Sequence, residues 1–163
     1  MDAKGNLTPQ ARRAALACLS RFSERLSGLH PSAVRAVATN TFRVARNAST
    51  FLPQAEAALG FPIDVIGGHE EARLIYLGVA HVLPPSPAPR LVIDIGGGST
   101  EFVIGRGFAP ERLESLKLGC VSMSQRFFAN GELRADAFRA AETDARALIE
   151  SIAGEFAPDQ WRE

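Results

Sequence analysis

Three consecutive glycines stand in the stretch LVIDIGGGSTEFVIG, residues 91–105, and what flanks them limits the fold more than any other feature of the chain. An apolar run, Leu91-Val92-Ile93, leads into Asp94. Ile95 precedes Gly96, Gly97 and Gly98, and Ser99, Thr100 and Glu101 give way to the β-prone run Phe102-Val103-Ile104. The pattern reads as strand, glycine turn, strand. Glycines lack the Cβ atoms that keep a ligand from the backbone and tolerate positive φ, so successive N–H groups can converge on one anion. Phosphate is the natural guest. Dinucleotide and P-loop folds place a helix directly after their glycines and use its N-terminus for the charge. Here β-branched and aromatic residues follow instead, which makes the loop a hairpin turn. Asp94 ends the incoming strand and Glu101 lies just beyond the turn, where both carboxylates can face the loop and hold Mg²⁺ or its waters.

Around this hairpin the chain reads as alternating helices and strands. Thr8 is an N-cap with Pro9 at the first helical position, Leu16, Leu19, Phe22 and Leu26 recur at helical spacing, and Gly28 stops the helix. Val34 to Ala38 is a short strand leading into Thr39-Asn40-Thr41-Phe42-Arg43, polar residues at the carboxyl end where parallel α/β sheets collect ligands. Ser49 and Thr50 cap a helix through Leu59, Gly60 ends it, and Pro62 to Ile66 is another strand. A helix from about His69 to Val82 follows, with Leu74, Leu77, Gly78 and His81 near one face. The proline-rich loop 84–89 is the expected boundary between a first domain, 1–83, and a second, 90–163. A third strand in the second domain runs from about Glu111 to Leu118, a helix from Gly119 through Phe128, and a long helix from Arg134 to Phe156 with Phe138, Ala141, Ala145, Leu148 and Ile152 as its buried stripe.

A second constellation opens the helix after Gly67. In Gly68-His69-Glu70-Glu71-Ala72-Arg73-Leu74 paired acids occupy the first turn, where the helix dipole alone favours them. The helix also starts directly after a strand, at the ligand-bearing edge. The run D-I-G-G-G-S-T-E resembles the second phosphate loop of the actin/Hsp70/sugar-kinase superfamily, and within it the exopolyphosphatase and guanosine pentaphosphate phosphohydrolase (Ppx/GppA) family. GHEEARLIYLGV resembles that family's G-x-E-E-A-R-L motif, and residues 39–47 resemble its T-x-x-x-R-x-A-x-N stretch.

The resemblance implies an α/β, actin-like (ribonuclease H-like) fold of two partial domains with mixed sheets and flanking helices, phosphate being held in a cleft between them. It implies that Glu71 is the catalytic base that activates water and that Gly96, Gly97, Gly98 and Ser99 bind phosphate. Arg43 would hold a phosphate oxygen bidentately, and Asp94 and Glu101 would bind Mg²⁺. Glu70, about 100° away around the helix, is expected to cap, pair or meet solvent. The family's earlier strand hairpin, with a first phosphate loop of the D-x-G-S-N-S type, has no counterpart in this sequence. The chain is therefore expected to be a fragment, feebly active at best alone and prone to self-association through an unpaired strand edge, with a homodimer left open.

Composition narrows the partners. Lys and Arg number 18 and Asp and Glu 18, a formal net charge of zero, which argues against a dedicated nucleic-acid binder. Residues 1–47 hold eight Lys/Arg against Asp2 and Glu24, a net of +6 that can draw an anionic substrate or simply coat a solvated helix face. No run approaches the roughly 20 apolar residues of a membrane span, the first residues have no signal-peptide core, and a cytoplasmic protein is expected. Cys18 and Cys120 are too few for a metal cluster and read as small buried reduced residues. The leading functional reading is hydrolysis of linear polyphosphate or guanosine pentaphosphate to release orthophosphate, with Mg²⁺. A kinase or chaperone of the superfamily and a non-catalytic phosphate or nucleotide sensor are the alternatives.

Overall fold

The computed structural model describes residues 1–2 and 4–163. By packing, the chain divides into two units, Met1–Gly67 and Gly68–Glu163.

In the first unit α1 (Pro9–Leu26) begins as its sequence dictates: Thr8 Oγ1 accepts the Ala11 N–H at 3.1 Å and Pro9 opens the first turn. A single 3₁₀ turn, Pro31–Ala33, leads to β1 (Ala36–Ala38). The polar stretch after β1 folds into the short helix α2 (Asn40–Val44). Helix α3 (Ala48–Leu59) packs on α1 and supplies the buried Phe51, Ala55 and Leu59, with the Phe42 ring stacked 5.9 Å from that of Phe51. Gly60 closes α3 in the left-handed region at φ 81°. Strand β2 (Ile63–Val65) then pairs with β1 in parallel, Ala36 opposite Ile63.

The start of α3 differs from expectation. Asn47 holds the N-cap position, but its side chain turns to the chain start, accepting the Leu7 N–H at 2.8 Å and donating to the Leu7 carbonyl at 3.1 Å. The Asn of the 39–47 motif is thus a structural staple.

In the second unit β3 (Arg90–Ile95), β4 (Thr100–Arg106) and β5 (Ala109–Leu116) form an antiparallel meander, with a bulge at Ile104/Gly105. Helix α4 (Gly68–Val82) lies across one face and buries Ala72, Tyr76 and Ala80 against Val92 and Val103, with Leu113 at the margin. That is a different stripe from the expected Leu74, Leu77, Gly78 and His81. Small residues let the helix axis come close to the sheet, and Leu74 is left exposed. Because α4 packs on this sheet, the packing units break at Gly67/Gly68 and not at the proline-rich loop 84–89.

The opposite face carries α5 (Cys120–Phe127) and α6 (Ala135–Glu150). Helix α6 stops short of the expected Phe156, and residues 151–156 continue as turns. Of its expected buried stripe, Ala141 and Ile152 are buried, whereas Phe138 is 62% exposed. Phe138, Ala141 and Ala145 instead line an open apolar hollow of about 600 Å³ against Ile93, Ile95 and Phe102. The cysteines also depart from expectation, Cys18 being half-buried and Cys120 exposed, both as free thiols. At the other end of β3, Glu163 joins the edge: its carbonyl accepts the Leu91 N–H at 2.8 Å and its carboxylate binds Arg90 at 2.7 Å. Among the described residues no helix is long and apolar enough to cross a membrane.

Tyr76 fits onto the sheet only because Gly105 has no side chain. A Cβ at Gly105 would lie 2.5 Å from both Tyr76 Cζ and the Ala109 carbonyl oxygen. Gly105→Ala is expected to destabilise the fold by about 1–3 kcal/mol through overpacking. Urea unfolding monitored by circular dichroism should show a lower midpoint at similar slope; an unchanged midpoint would mean that the tyrosine moves aside freely.

Candidate functional site

Pairing of β3 with β4 runs from Arg90 opposite Gly105 to Ile95 opposite Thr100, so residues 96–99 form the turn of a hairpin. The Gly96 N–H closes it by donating to the Ser99 carbonyl at 2.9 Å. Helix α5 holds the turn from behind. The Cys120 N–H donates to the Gly96 carbonyl and the Val121 N–H to the Gly97 carbonyl, each at 2.9 Å, and the Ser122 N–H reaches the same Gly97 oxygen at 3.1 Å. With its carbonyls turned to α5, the loop keeps its donors for something else. The N–H groups of Gly97, Gly98 and Ser99 donate to no acceptor among the described residues. Ser99 and Thr100 side chains are buried, and Thr100 Oγ1 donates to the Leu118 carbonyl, tying the base of the loop to the chain before α5.

The glycines serve a purpose other than the one their conformational freedom suggests. Positive φ occurs at Gly5, Gly28, Gly60, Gly107 and Gly131, not in the loop. At Gly96 the requirement is room. A Cβ at Gly96 would sit 3.0 Å from the Ser99 carbonyl oxygen, tighter than ordinary contact. A further glycine completes the packing: a Cβ at Gly119 would lie 2.5 Å from Gly97 C and Gly98 Cα. Gly119 is extended at φ −145°, ψ 154°, a conformation open to any residue, so its lack of a side chain is a matter of space alone. Sequence reading treats Gly119 only as the entry to a helix. The available signal was its place at the N-cap of α5, where Ser, Thr, Asp or Asn would supply a capping oxygen.

Register places the acids. Asp94 pairs with Glu101 across β3 and β4, and Glu101 with Ser115 across β4 and β5, so the three side chains share one sheet face. Two residues further along, Val92, Val103 and Leu113 carry α4 on that same face. Glu101 is 1% exposed and accepts a hydrogen bond from Ser115 Oγ at 2.8 Å, while Asp94 is exposed. Among the described residues no group of three or more His, Cys, Asp or Glu side chains could hold a metal. Two opposed carboxylates beside a phosphate loop nevertheless match Mg²⁺, which keeps several waters and takes one or two carboxylates together with phosphate oxygens.

The start of α4 lies at this end of the sheet. Gly68 packs directly on Ser115, a Cβ there falling 2.5 Å from Ser115 Cβ. His69 Nε2 lies 3.6 Å from the Glu114 carboxylate. Glu70 pairs with Arg73 through two hydrogen bonds of 2.7 Å, which hold its carboxyl below the usual carboxylate range. Glu71 is half-buried, immediately before the fully buried Ala72. The second unit therefore brings together the 96–99 loop, Asp94, Glu101 and the helix turn bearing Glu71. Arg43 belongs to the first unit, in α2, where its Nη1 donates to the Ile66 carbonyl at 3.0 Å just beyond β2.

Known proteins resemble the chain over most of its length. The chain matches the Ppx/GppA phosphatase family over residues 1–162. A solved exopolyphosphatase-like protein is similar at 31% identity and TM-score 0.83, covering 92% of this chain and 48% of its own. The Ppx/GppA family member of Aquifex aeolicus is 32% identical, with TM-score 0.62 over 77% of this chain and 40% of its own. An exopolyphosphatase from Cytophaga hutchinsonii is 26% identical, with TM-score 0.77 over 95% of this chain and 51% of its own. The chain thus spans about half the length of the solved structures it matches. It has their α/β, actin-like architecture with parallel and antiparallel sheets. Glycine hairpin, opposed carboxylates and acidic helix start lie within the matched span, and the chain belongs to the Ppx/GppA phosphatase family.

Proposed function

We propose that this chain carries the phosphate-handling part of a phosphoanhydride hydrolase that releases orthophosphate from the end of inorganic polyphosphate or from guanosine pentaphosphate, leaving the tetraphosphate. The observation that carries the reading is the row of three loop N–H groups, at Gly97, Gly98 and Ser99, without acceptors on a turn already fixed by α5. Such a row is built for the spread charge of a phosphoryl group, and preorganised donors count most where that charge grows in the transition state. Family membership and the exopolyphosphatases among the similar structures support the same class of chemistry.

Phosphoanhydride cleavage requires a placed water and neutralised phosphate charge. Glu71 accepts a proton from water as the water oxygen bonds to the terminal phosphorus, and the bridging P–O bond breaks toward the shortened chain. The loop amides hold the transferred phosphoryl oxygens. Asp94 and Glu101 would hold Mg²⁺, which supplies charge neutralisation when bound. Glu70, committed to Arg73, takes no part. Arg43 is proposed as a further phosphate ligand on the first unit.

Orthophosphate release from polyphosphate, guanosine pentaphosphate and ATP, measured side by side, tests the reading. Turnover of either of the first two above ATP supports it; binding without turnover in every case would favour a phosphate or nucleotide sensor. In a form spanning the full length of the solved relatives, Glu71→Gln keeps shape and loses the proton acceptor, so turnover should fall about 10²–10⁴ fold with phosphate affinity nearly unchanged, while Glu70→Gln costs much less. An equal loss for the two would reject Glu71 as the base. Gly119→Ala should displace the Gly97–Gly98 peptide and weaken orthophosphate binding, measured by calorimetry, at least tenfold in a chain that keeps its circular dichroism spectrum. Parent-like affinity would show that the loop does not depend on this contact.

A further inference from the structure

We infer that Ser115 is a positioning residue for the carboxylate pair, acting on Glu101 directly and on the start of α4 by contact. The inference rests on the reading of the loop and its acids as a phosphate and metal site. Glu101 is almost wholly buried, and a buried polar group needs hydrogen bonds to offset the cost of leaving water. Among the described residues the side-chain donor it receives is Ser115 Oγ, at 2.8 Å to Oε1. That bond restrains the carboxylate through Oε1, and Oε2 is the oxygen we assign to a cation or its water. Partners of this kind orient metal-binding groups in many sites.

The same serine also bears on α4. Gly68 packs against Ser115 so closely that a Cβ at 68 would lie 2.5 Å from Ser115 Cβ, and the neighbouring Glu114 meets His69 at 3.6 Å. Two successive residues of β5 therefore hold the first turn of α4, which carries Glu71. One small hydroxyl side chain thus touches both the metal-facing acid and the helix bearing the proposed base. A larger residue would push α4 off the sheet, and a smaller one would leave Glu101 without its donor.

Mn²⁺ is the probe, titrated into the 163-residue chain and followed by electron paramagnetic resonance, with circular dichroism as the check of folding. The parent should bind Mn²⁺ and Asp94→Asn should abolish binding. Ser115→Ala and the nearly isosteric Ser115→Cys, whose S–H is a poor donor, should each weaken Mn²⁺ binding about 10- to 100-fold while folded, the usual loss for a partner of this kind. If both folded variants bind Mn²⁺ like the parent, the serine serves folding only and the positioning inference fails while the metal reading stands. If the parent shows no Mn²⁺ binding sensitive to Asp94→Asn, the metal reading fails and the inference falls with it.

Discussion

A helix lies close on a sheet where the residues between them are small, and α4 meets that condition at Gly68, Ala72 and Ala80. Gly68, Ala72 and Ala80 present little more than backbone to β3, β4 and β5, and the large residue in the row, Tyr76, lies where Gly105 offers no Cβ. Residues spaced by four are neighbours on a helix face, so these four form one continuous row inclined to the helix axis. This row sets the distance between helix and sheet. A leucine in place of Ala72 would lift α4 away, separate Gly68 from Ser115, and move the turn bearing Glu71 from the end of the sheet where Asp94 and Glu101 face each other. The geometry of the acidic end is thus a consequence of alanine and glycine packing further down the helix.

Much of this arrangement was legible in the sequence because it is local. The hairpin around residues 96–99, the Thr8–Pro9 start of α1 and the left-handed stop at Gly60 depend on neighbours within a few positions. The misreadings have a common cause. For α4, hydrophobicity favoured the face with Leu74 and Leu77, but burial went to alanines that rank lower on any such scale, because closeness to the sheet counted for more than side-chain area. For α6, periodicity predicts a helix reaching Phe156 with a buried stripe from Phe138 to Ile152. The helix ends at Glu150, and Phe138 borders an open hollow. The prolines of 84–89 signalled a break in secondary structure, yet packing joins the helix before them to the sheet after them.

The candidate site divides in the same way. Asp94, the glycines and Glu101 declared themselves by composition and order. Gly119 and Ser115 did not, because each matters only through a partner distant in sequence: Gly119 through the Gly97–Gly98 peptide, Ser115 through Glu101 and Gly68. A glycine before a helix and a serine in a strand are ordinary until the register is known. The need for glycine at positions 96 and 119 also became clear only in three dimensions, as close approaches to backbone atoms and not as a left-handed turn.

The clamp of α5 on the loop also has an electrical meaning. The Gly96 carbonyl that accepts from Cys120 belongs to the same peptide unit as the Gly97 N–H, and the Gly97 carbonyl that accepts from Val121 and Ser122 belongs to the same unit as the Gly98 N–H. Each of these peptides is therefore a link in a chain of aligned dipoles that begins in α5 and ends at a donor pointing away from it. Hydrogen bonds in series polarise one another, by about 10–30% per bond in condensed-phase estimates. The positive end of the α5 dipole is consequently displaced outward by one peptide and delivered through glycine amides. A helix can in this way lend its field to an anion it never touches, while its own first turn stays covered.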